Sequence, residues 1–195
     1  MTVIILLGRS GSGKGTQAKR LVTELGFEYI GSGELLRSFY EGQSFSAKKT
    51  RKVMNKGGFV PTPLIFWLWM ERLETIKQEG RAKGIIFDGS PRKVLEAQLL
   101  YQALEWYEWE KNTHILLIDI SRKEAFARLT KRRICISCGK LVPWVGEYKR
   151  IKTCDGCGGE LKARTDDTPE AIKGRLNEFE KETLPEIEYY KKSGR

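Results

Sequence analysis

The sequence has 195 residues, and its 35 Lys and Arg against 25 Asp and Glu give a formal net charge of +10. Its length favours one domain with room for inserted lobes, and 40% hydrophobic with 31% charged residues is typical of a globular chain and not of a disordered one. The longest uncharged apolar stretch, residues 57–70, is shorter than the roughly 20 residues of a membrane span.

Short β-branched runs alternate with longer helical patterns along the chain, and the first run, residues 2–7, lacks the basic leader of a signal peptide. We therefore expect a cytoplasmic protein with reduced cysteines. Strands are predicted at residues 3–7, 85–87 and 115–118. Helices are predicted at residues 65–76, at 95–107 and from Thr168 onward, the last with Asp167 or Thr168 as its N-cap and Pro169 in its first turn. This alternation predicts an α/β fold with a parallel sheet covered by helices on both faces.

Two segments interrupt this alternation. Residues 32–60 are basic, helical and punctuated by glycine, and residues 134–163 contain all four cysteines. We interpret them as lobes inserted into a core made of residues 1–31, 61–133 and 164–195.

A glycine-rich loop, residues 8–16, follows the first strand and opens a helix. Its glycines let backbone N–H groups turn toward a phosphate, while Lys14 and the helix N-terminus supply positive charge. A merely flexible turn is the alternative, and the flanking strand and helix argue against it. Gly15 follows Lys14 where ATPase and GTPase loops have Ser or Thr, and the hydroxyl comes one residue later, at Thr16.

Further motifs follow in order: Gly-Lys-Gly-Thr-Gln at 13–17, Ser-Gly-Glu-Leu-Leu-Arg at 32–37, Asp-Gly-Ser-Pro-Arg at 88–92, Arg128 with Arg132, and Arg-Thr-Asp-Asp at 164–167 with Arg175. In this set the chain resembles the nucleoside monophosphate kinases, adenylate kinases in particular, over almost its entire length. The resemblance implies a P-loop core, a helical monophosphate-binding lobe and a zinc-binding lid. It also implies Mg²⁺-dependent, reversible conversion of ATP and AMP into two ADP. Another acceptor, GMP, CMP or UMP, is the alternative.

The resemblance also implies roles for individual residues. The catalytic set is Lys14, Asp88, Arg92, Arg132, Arg164 and Arg175. The ATP-binding set is Gly11, Ser12, Gly13, Lys14, Gly15, Thr16, Arg128, Leu141 and Val142. The AMP-binding set is Ser32, Arg37, Gly58, Phe59, Val60, Gly89, Ser90, Pro91, Arg92, Glu96, Arg164 and Arg175.

Arginine suits phosphoryl transfer because its permanent charge grips phosphate oxygens through two parallel hydrogen bonds. The resemblance implies that Arg37 and Arg92 hold the monophosphate, that Arg128 stacks on the adenine of ATP, and that Asp88 orients water on a Mg²⁺ held mostly by the triphosphate. It also implies that Arg132, Arg164 and Arg175 clamp the phosphoryl group during transfer.

Two Cys-x-x-Cys pairs, Cys135 with Cys138 and Cys154 with Cys157, have 15 residues between them (139–153), the spacing of a zinc ribbon. Four thiolates leave no open coordination position, so we predict one structural Zn²⁺. A zinc-ribbon nucleic-acid-binding protein is the alternative of another class, favoured by the basic residues 149–152. The phosphate loop and arginine motifs argue against it, and we expect a monomer with no nucleic-acid or membrane partner.

Three departures from the family pattern stand out. Ser90 replaces a Phe, and Glu96 stands where a Gln would recognise the adenine of AMP. An ionised glutamate only accepts hydrogen bonds, so it would pair better with the adjacent N–H donors of guanine. The third departure is the end of the sequence at Arg195, where the family's chain continues into one more strand and helix. We therefore expect four parallel strands, and both a natural short form and a truncated chain are compatible with the sequence.

Overall fold

A four-stranded parallel sheet forms the centre of the computed structural model, which describes residues 1–164 and 166–193. The strand order is β2-β3-β1-β4, with β1 at Thr2–Leu7, β2 at Glu28–Gly31, β3 at Gly84–Asp88 and β4 at Thr113–Leu117. The predicted α/β class and strand number are thus confirmed within the described ranges. The short strand β2 was not predicted, because its four residues lack a continuous apolar run.

Both faces of the sheet are covered, which is why β1 is a continuous apolar run. Leu6 and the partly buried Ile4 pack with α1 (Lys14–Leu25), whereas Val3, Ile5 and Leu7 belong to the larger cluster on the other face. That larger cluster includes side chains from α4 (Thr62–Glu79), α5 (Val94–Trp106) and α8 (Leu184–Ser193).

Two further helices, α6 (Arg122–Leu129) and α7 (Pro169–Glu178), pack against each other in a smaller apolar cluster. Thr168 caps α7 by accepting a hydrogen bond from the Ala171 N–H at 3.2 Å, and Pro169 occupies the first turn, as the sequence predicts. A π-helical turn, Phe179–Thr183, joins α7 to α8. No described helix is both long and apolar enough to cross a membrane.

Residues 32–60 contain α2 (Ser32–Tyr40) and α3 (Phe45–Asn55). The end of this segment packs closely on α7. Gly57 has a φ of +77°, and a Cβ there would lie 2.2 Å from the Ala171 carbonyl oxygen, so a side chain is excluded.

Residues 134–163 fold around a small antiparallel sheet. Its strands are β5 (Arg133–Cys135), β6 (Leu141–Val142) and β7 (Leu161–Ala163), in the order β6-β5-β7.

Candidate active site

A cleft of about 880 Å³ opens beyond the carboxyl ends of β1 and β3, where ligands bind in open α/β sheets. Almost all of the residues that the sequence assigns to ATP and AMP line it: Gly11, Ser12, Gly13, Lys14, Gly15, Thr16, Ser32, Arg37, Gly58, Phe59, Val60, Asp88, Gly89, Ser90, Arg92, Glu96, Arg128, Arg132, Leu141, Arg164 and Arg175. Pro91 lines a smaller adjoining pocket. Val142, which the sequence also assigns to ATP, does not line this cleft: it is 1% exposed within the small antiparallel sheet, where it pairs with Arg133.

The phosphate loop wraps around the side chain of Lys14. The Lys14 Nζ donates to the carbonyl oxygens of Gly8 at 2.6 Å and Arg9 at 2.9 Å, and the residue is only 9% exposed. Burial lowers the pKa of Lys14 to about 8, against the attraction of Asp88, which raises it. The loop thus holds a buried ammonium group that titrates within the range of ordinary assays.

Asp88 faces the start of α1 from the end of β3. Its Oδ2 accepts a hydrogen bond from the Tyr29 hydroxyl at 2.8 Å. Burial and the Asp88 charge raise the pKa of Tyr29, so the phenol remains a donor. A Cβ at Gly15 would lie 2.9 Å from the same Oδ2, so a larger residue after Lys14 would require the Asp88 carboxylate to shift. Sequence reasoning missed Tyr29, which gives no signal beyond its place in a short strand.

Three predicted arginines meet two aspartates, and we call Arg132, Arg164 and Arg175 the arginine clamp. Asp167 accepts from Arg132 through both of its oxygens, with Nη2 to Oδ1 at 2.9 Å, and from Arg175 Nη1 at 2.7 Å. Asp166 accepts from Arg164 Nη2 at 2.8 Å. Thr165 of the same motif lies outside the described residues. The two carboxylates fix the guanidinium planes before any ligand binds.

The clamp has a net positive charge because three cations face two anions. Burial, together with the charges of Arg132 and Arg37, lowers the pKa of Arg164 to about 10. Although burial alone would raise the pKa of Asp167, hydrogen bonds and charge from Arg132 and Arg175 bring it below its ordinary value. The sequence suggested Asp167 only as a candidate helix N-cap and gave neither aspartate a role in the clamp; their signal was a pair of consecutive carboxylates among the arginines of residues 164–175.

Arg92 lies on the monophosphate side of the cleft, between the core and residues 32–60. Its Nε donates to the Gly89 carbonyl oxygen at 2.5 Å, and its guanidinium lies 4.6 Å from the centre of the Phe59 ring. Thr183 Oγ1 donates to the Arg92 carbonyl oxygen at 3.1 Å. These contacts fix the arginine that the sequence assigns to the monophosphate.

The serine that replaces the family's phenylalanine has a partner. The Ser90 hydroxyl is hydrogen-bonded to the Ser32 hydroxyl, and both residues are buried. The substitution therefore joins the first residue of α2 to the loop after β3.

Glu96 is 3% exposed. Its Oε2 accepts from the Arg92 N–H at 2.9 Å, and its Oε1 accepts from Thr62 Oγ1 at 3.3 Å. Two donors therefore face the two oxygens of a carboxylate that lines the cleft.

On the ATP side, Arg128 approaches the phosphate loop. Its Nε donates to Glu124 Oε1 at 2.7 Å, and its Nη1 lies 3.5 Å from the Ser12 carbonyl oxygen. Leu141 is 39% exposed and lines the cleft wall. Both residues thus line the same cleft as the phosphate loop.

The four cysteines converge at one end of the small sheet, and their Sγ atoms all lie within 4.8 Å of one another. The Sγ atoms of Cys135 and Cys157 are 3.5 Å apart, and those of Cys138 and Cys154 are 3.7 Å apart. Four Zn–S bonds of about 2.3 Å in a tetrahedron give S···S distances of about 3.8 Å. The donor set therefore fits a four-thiolate Zn²⁺.

Comparison with known proteins agrees with this geometry. The family profile described as adenylate kinase matches residues 6–195. An adenylate kinase of Methanocella arvoryzae is 39% identical over 96% of this chain and 86% of its own length, and one of Thermodesulfovibrio yellowstonii is 37% identical over 98% and 87%. An adenylate kinase of Archaeoglobus fulgidus is 35% identical over 98% of this chain and 87% of its own length. With a match over nearly its whole length, this chain belongs to the adenylate kinase family of nucleoside monophosphate kinases.

Proposed function

We propose that the protein transfers the γ-phosphoryl group of ATP to AMP in this cleft, reversibly and with Mg²⁺. The observation that carries the proposal is the convergence of Lys14, Arg37, Arg92 and the arginine clamp on one cavity. Phosphoryl transfer needs positioning and charge stabilisation more than covalent chemistry from the protein, and this set supplies both.

The two substrates would enter from opposite sides of the cleft. Backbone N–H groups of residues 11–16 and Lys14 would bind the ATP phosphates, with Arg128 against the adenine. Arg37 and Arg92 would hold the phosphate of AMP. The arginine clamp would then stabilise the charge on the phosphoryl group as it moves between them.

Asp88 is the residue that would orient water around Mg²⁺. The ion supplies neutralisation of phosphate charge when it arrives with ATP. The Tyr29 hydroxyl, 2.8 Å from Asp88 Oδ2, holds that carboxylate in place.

The test is a coupled assay of ATP with AMP, GMP, CMP and UMP. We expect rapid ADP formation with AMP and at least about tenfold lower kcat/KM with the two pyrimidine nucleotides. Absence of ADP formation from ATP and AMP would overturn the proposal.

We also propose that residues 32–60 and 134–163 close over the two nucleotides and exclude water, which would suppress hydrolysis of ATP. Both segments contribute side chains to the cleft wall, including Phe59 and Leu141. A two-substrate analogue should reduce the radius of gyration measured by small-angle scattering. Identical curves with and without the analogue would contradict closure.

A structural Zn²⁺ held by the four cysteines is the third part of the proposal. The S···S distances and the Gly156 N–H, 3.4 Å from Cys154 Sγ, support a metal knuckle. Chelation or Cys138→Ser should lower the melting temperature by several degrees, whereas Ser137→Ala should not. One zinc per chain by elemental analysis is expected, and a metal-free protein with unchanged melting would refute the site. The monomeric state, the lack of nucleic-acid and membrane partners, and the cytoplasmic location stay predictions from the sequence.

A further inference from the structure

Two buried glutamates lie behind the monophosphate site, and we call Glu96 and Glu186 the glutamate pair. Glu96 is in the first turn of α5 and lines the cleft, while Glu186 is in the first turn of α8 and is fully buried. The helices α5 and α8 pack against each other. The pair therefore places two acidic groups in a region with little water.

The two glutamates differ in their hydrogen bonds. The Arg92 N–H and the Thr62 hydroxyl donate to Glu96, as an ionised carboxylate requires. Within the described ranges, neither oxygen of Glu186 has a hydrogen-bond partner. An ionised carboxylate without a donor is costly to bury, so Glu186 carries the proton. Consistently, burial and then the charge of Glu96 raise the pKa of Glu186 to about 9, against Arg92, which lowers it.

The groups that face Glu96 come from three elements. Arg92 and Lys93 precede α5, Thr62 begins α4, and Glu186 belongs to α8. Burial raises the pKa of Glu96 above its ordinary value, although the Arg92 N–H, the charges of Lys93 and Arg92 and the Thr62 hydroxyl act in the opposite direction. Because two donors face the oxygens of Glu96 and none in the described part of the chain faces those of Glu186, we assign the proton to Glu186 and the negative charge of the pair to Glu96.

A carboxylate and an amide recognise purine bases through different hydrogen bonds. It only accepts hydrogen bonds, and guanine presents two adjacent donors, N1–H and the 2-amino group. Adenine presents a single amino donor beside N1, which is itself an acceptor. An ionised Glu96 can therefore accept two parallel hydrogen bonds from guanine but only one from adenine, with its second oxygen facing a lone pair.

We propose that the acceptor site takes GMP as well as AMP, and that Glu96 reads guanine through N1–H and the 2-amino group. The inference rests on the proposed kinase function. The γ-phosphorus of ATP would bond to a phosphate oxygen of GMP while its bond to the β,γ-bridging oxygen breaks, giving ADP and GDP.

The decisive experiment compares kcat/KM for AMP and GMP at pH 7.5 in the wild type, Glu96→Gln and Glu105→Gln. Glu105 is an exposed residue on the same helix, so its variant is the matched control. We expect wild-type kcat/KM for GMP of about one tenth of that for AMP or more. Glu96→Gln should lower the GMP/AMP ratio roughly tenfold to a hundredfold, because an amide offers one acceptor and one donor. Glu105→Gln should leave the ratio unchanged.

Three further measurements separate base recognition from a folding defect. Since burial raises the pKa of Glu96, lowering the pH should favour its protonated form, so the wild-type GMP/AMP ratio should fall with pH while that of Glu96→Gln should stay flat. Glu186→Gln replaces a neutral acid with a neutral amide and should change the ratio by less than about threefold, as should the exposed control Glu188→Gln. GMP should also raise the wild-type melting temperature in the absence of ATP, and this shift should shrink in Glu96→Gln.

Results that contradict the GMP proposal can be distinguished from results that contradict the kinase proposal. Turnover of AMP without GMP turnover, or a ratio that Glu96→Gln does not change, would overturn this inference and leave the kinase proposal standing. A tenfold change in Glu186→Gln would mean that Glu186 carries the charge. Failure with AMP and GMP alike would refute the kinase proposal itself.

Discussion

The arginine clamp and the glutamate pair are both buried groups of charge, yet their partners differ. In the clamp, each guanidinium is paired with a carboxylate, as in the 2.7 Å contact between Arg175 and Asp167. In the pair, two acids share one nearby guanidinium, that of Arg92, whose Nε donates to Gly89. The clamp is a set of permanent charges held in a fixed geometry, whereas the pair must hold a proton to remain buried.

The difference teaches how burial acts on different chemical groups. A guanidinium stays charged, so the protein satisfies it with hydrogen bonds and the result is a preorganised anion site. A carboxyl group can change its protonation state, so burial alters its charge and with it the hydrogen bonds it offers. Position is decisive in the clamp, and protonation is decisive in the pair.

Removing a clamp member should have the largest effect. Arg132→Ala is expected to lower kcat by about 10²–10³-fold, because a preorganised cation facing the transferring group is lost. Arg81→Ala is the control, since that side chain is 75% exposed and pairs with Glu79 on the surface. A kcat within threefold of wild type in steady-state assays would remove Arg132 from the catalytic set.

Asp167→Asn tests whether position matters within the clamp. The substitution keeps the shape but removes the charge that orients Arg132 and Arg175. We expect kcat to fall about tenfold, less than on loss of an arginine, because the cations remain but are less well placed. Restoration of kcat by Asp167→Glu would support positioning, and an unchanged kcat in the amide variant would show that the clamp needs no anchor.

Lys14 extends the comparison to a cation that can titrate. Its pKa of about 8 means that the free enzyme loses this charge as the pH rises through 8. The kcat/KM for ATP should therefore decline by up to about tenfold per pH unit above that value. The kcat at saturating ATP should be flatter, because bound phosphate retains the proton. A level kcat/KM from pH 7 to about 9.5 would contradict a buried, titrating ammonium.

The smallest effect is on stability, at Glu186. Its pKa rises from 4.5 to about 9 on folding, so the native state binds more protons between these values. Its contribution is favourable below the unfolded pKa and is lost as the pH rises toward 9. Glu186→Gln should thus melt about 2–4 °C above the wild type at pH 8, with a smaller difference at pH 5. Equal pH dependence of melting in wild type, Glu186→Gln and the exposed control Glu188→Gln would place the proton elsewhere.

Much of the fold and most of the cleft-lining residues were predictable because their signals are local. The run at residues 3–7 followed by a glycine loop, and the paired Cys-x-x-Cys motifs, constrain the backbone over a few residues. Strand β2 was not predicted because its four residues, with one buried aliphatic side chain, show no hydrophobic periodicity. The roles of Tyr29 and of the two clamp aspartates were not predicted. They depend on partners distant in the sequence, or on side-chain geometry that residue spacing does not define.

The sequence by itself determined the α/β class, the phosphate loop, the arginine motifs and the four-cysteine spacing, since each depends on neighbouring residues. Only the tertiary structure decided which charges are paired. It placed Asp88 Oδ2 2.9 Å from the position of a Cβ at residue 15, joined Ser32 to Ser90, and brought Glu186 of α8 within the electrostatic influence of Glu96. These contacts join residues up to 90 positions apart (186 − 96 = 90), and electrostatic energies depend on distance in space and on burial, which folding alone establishes.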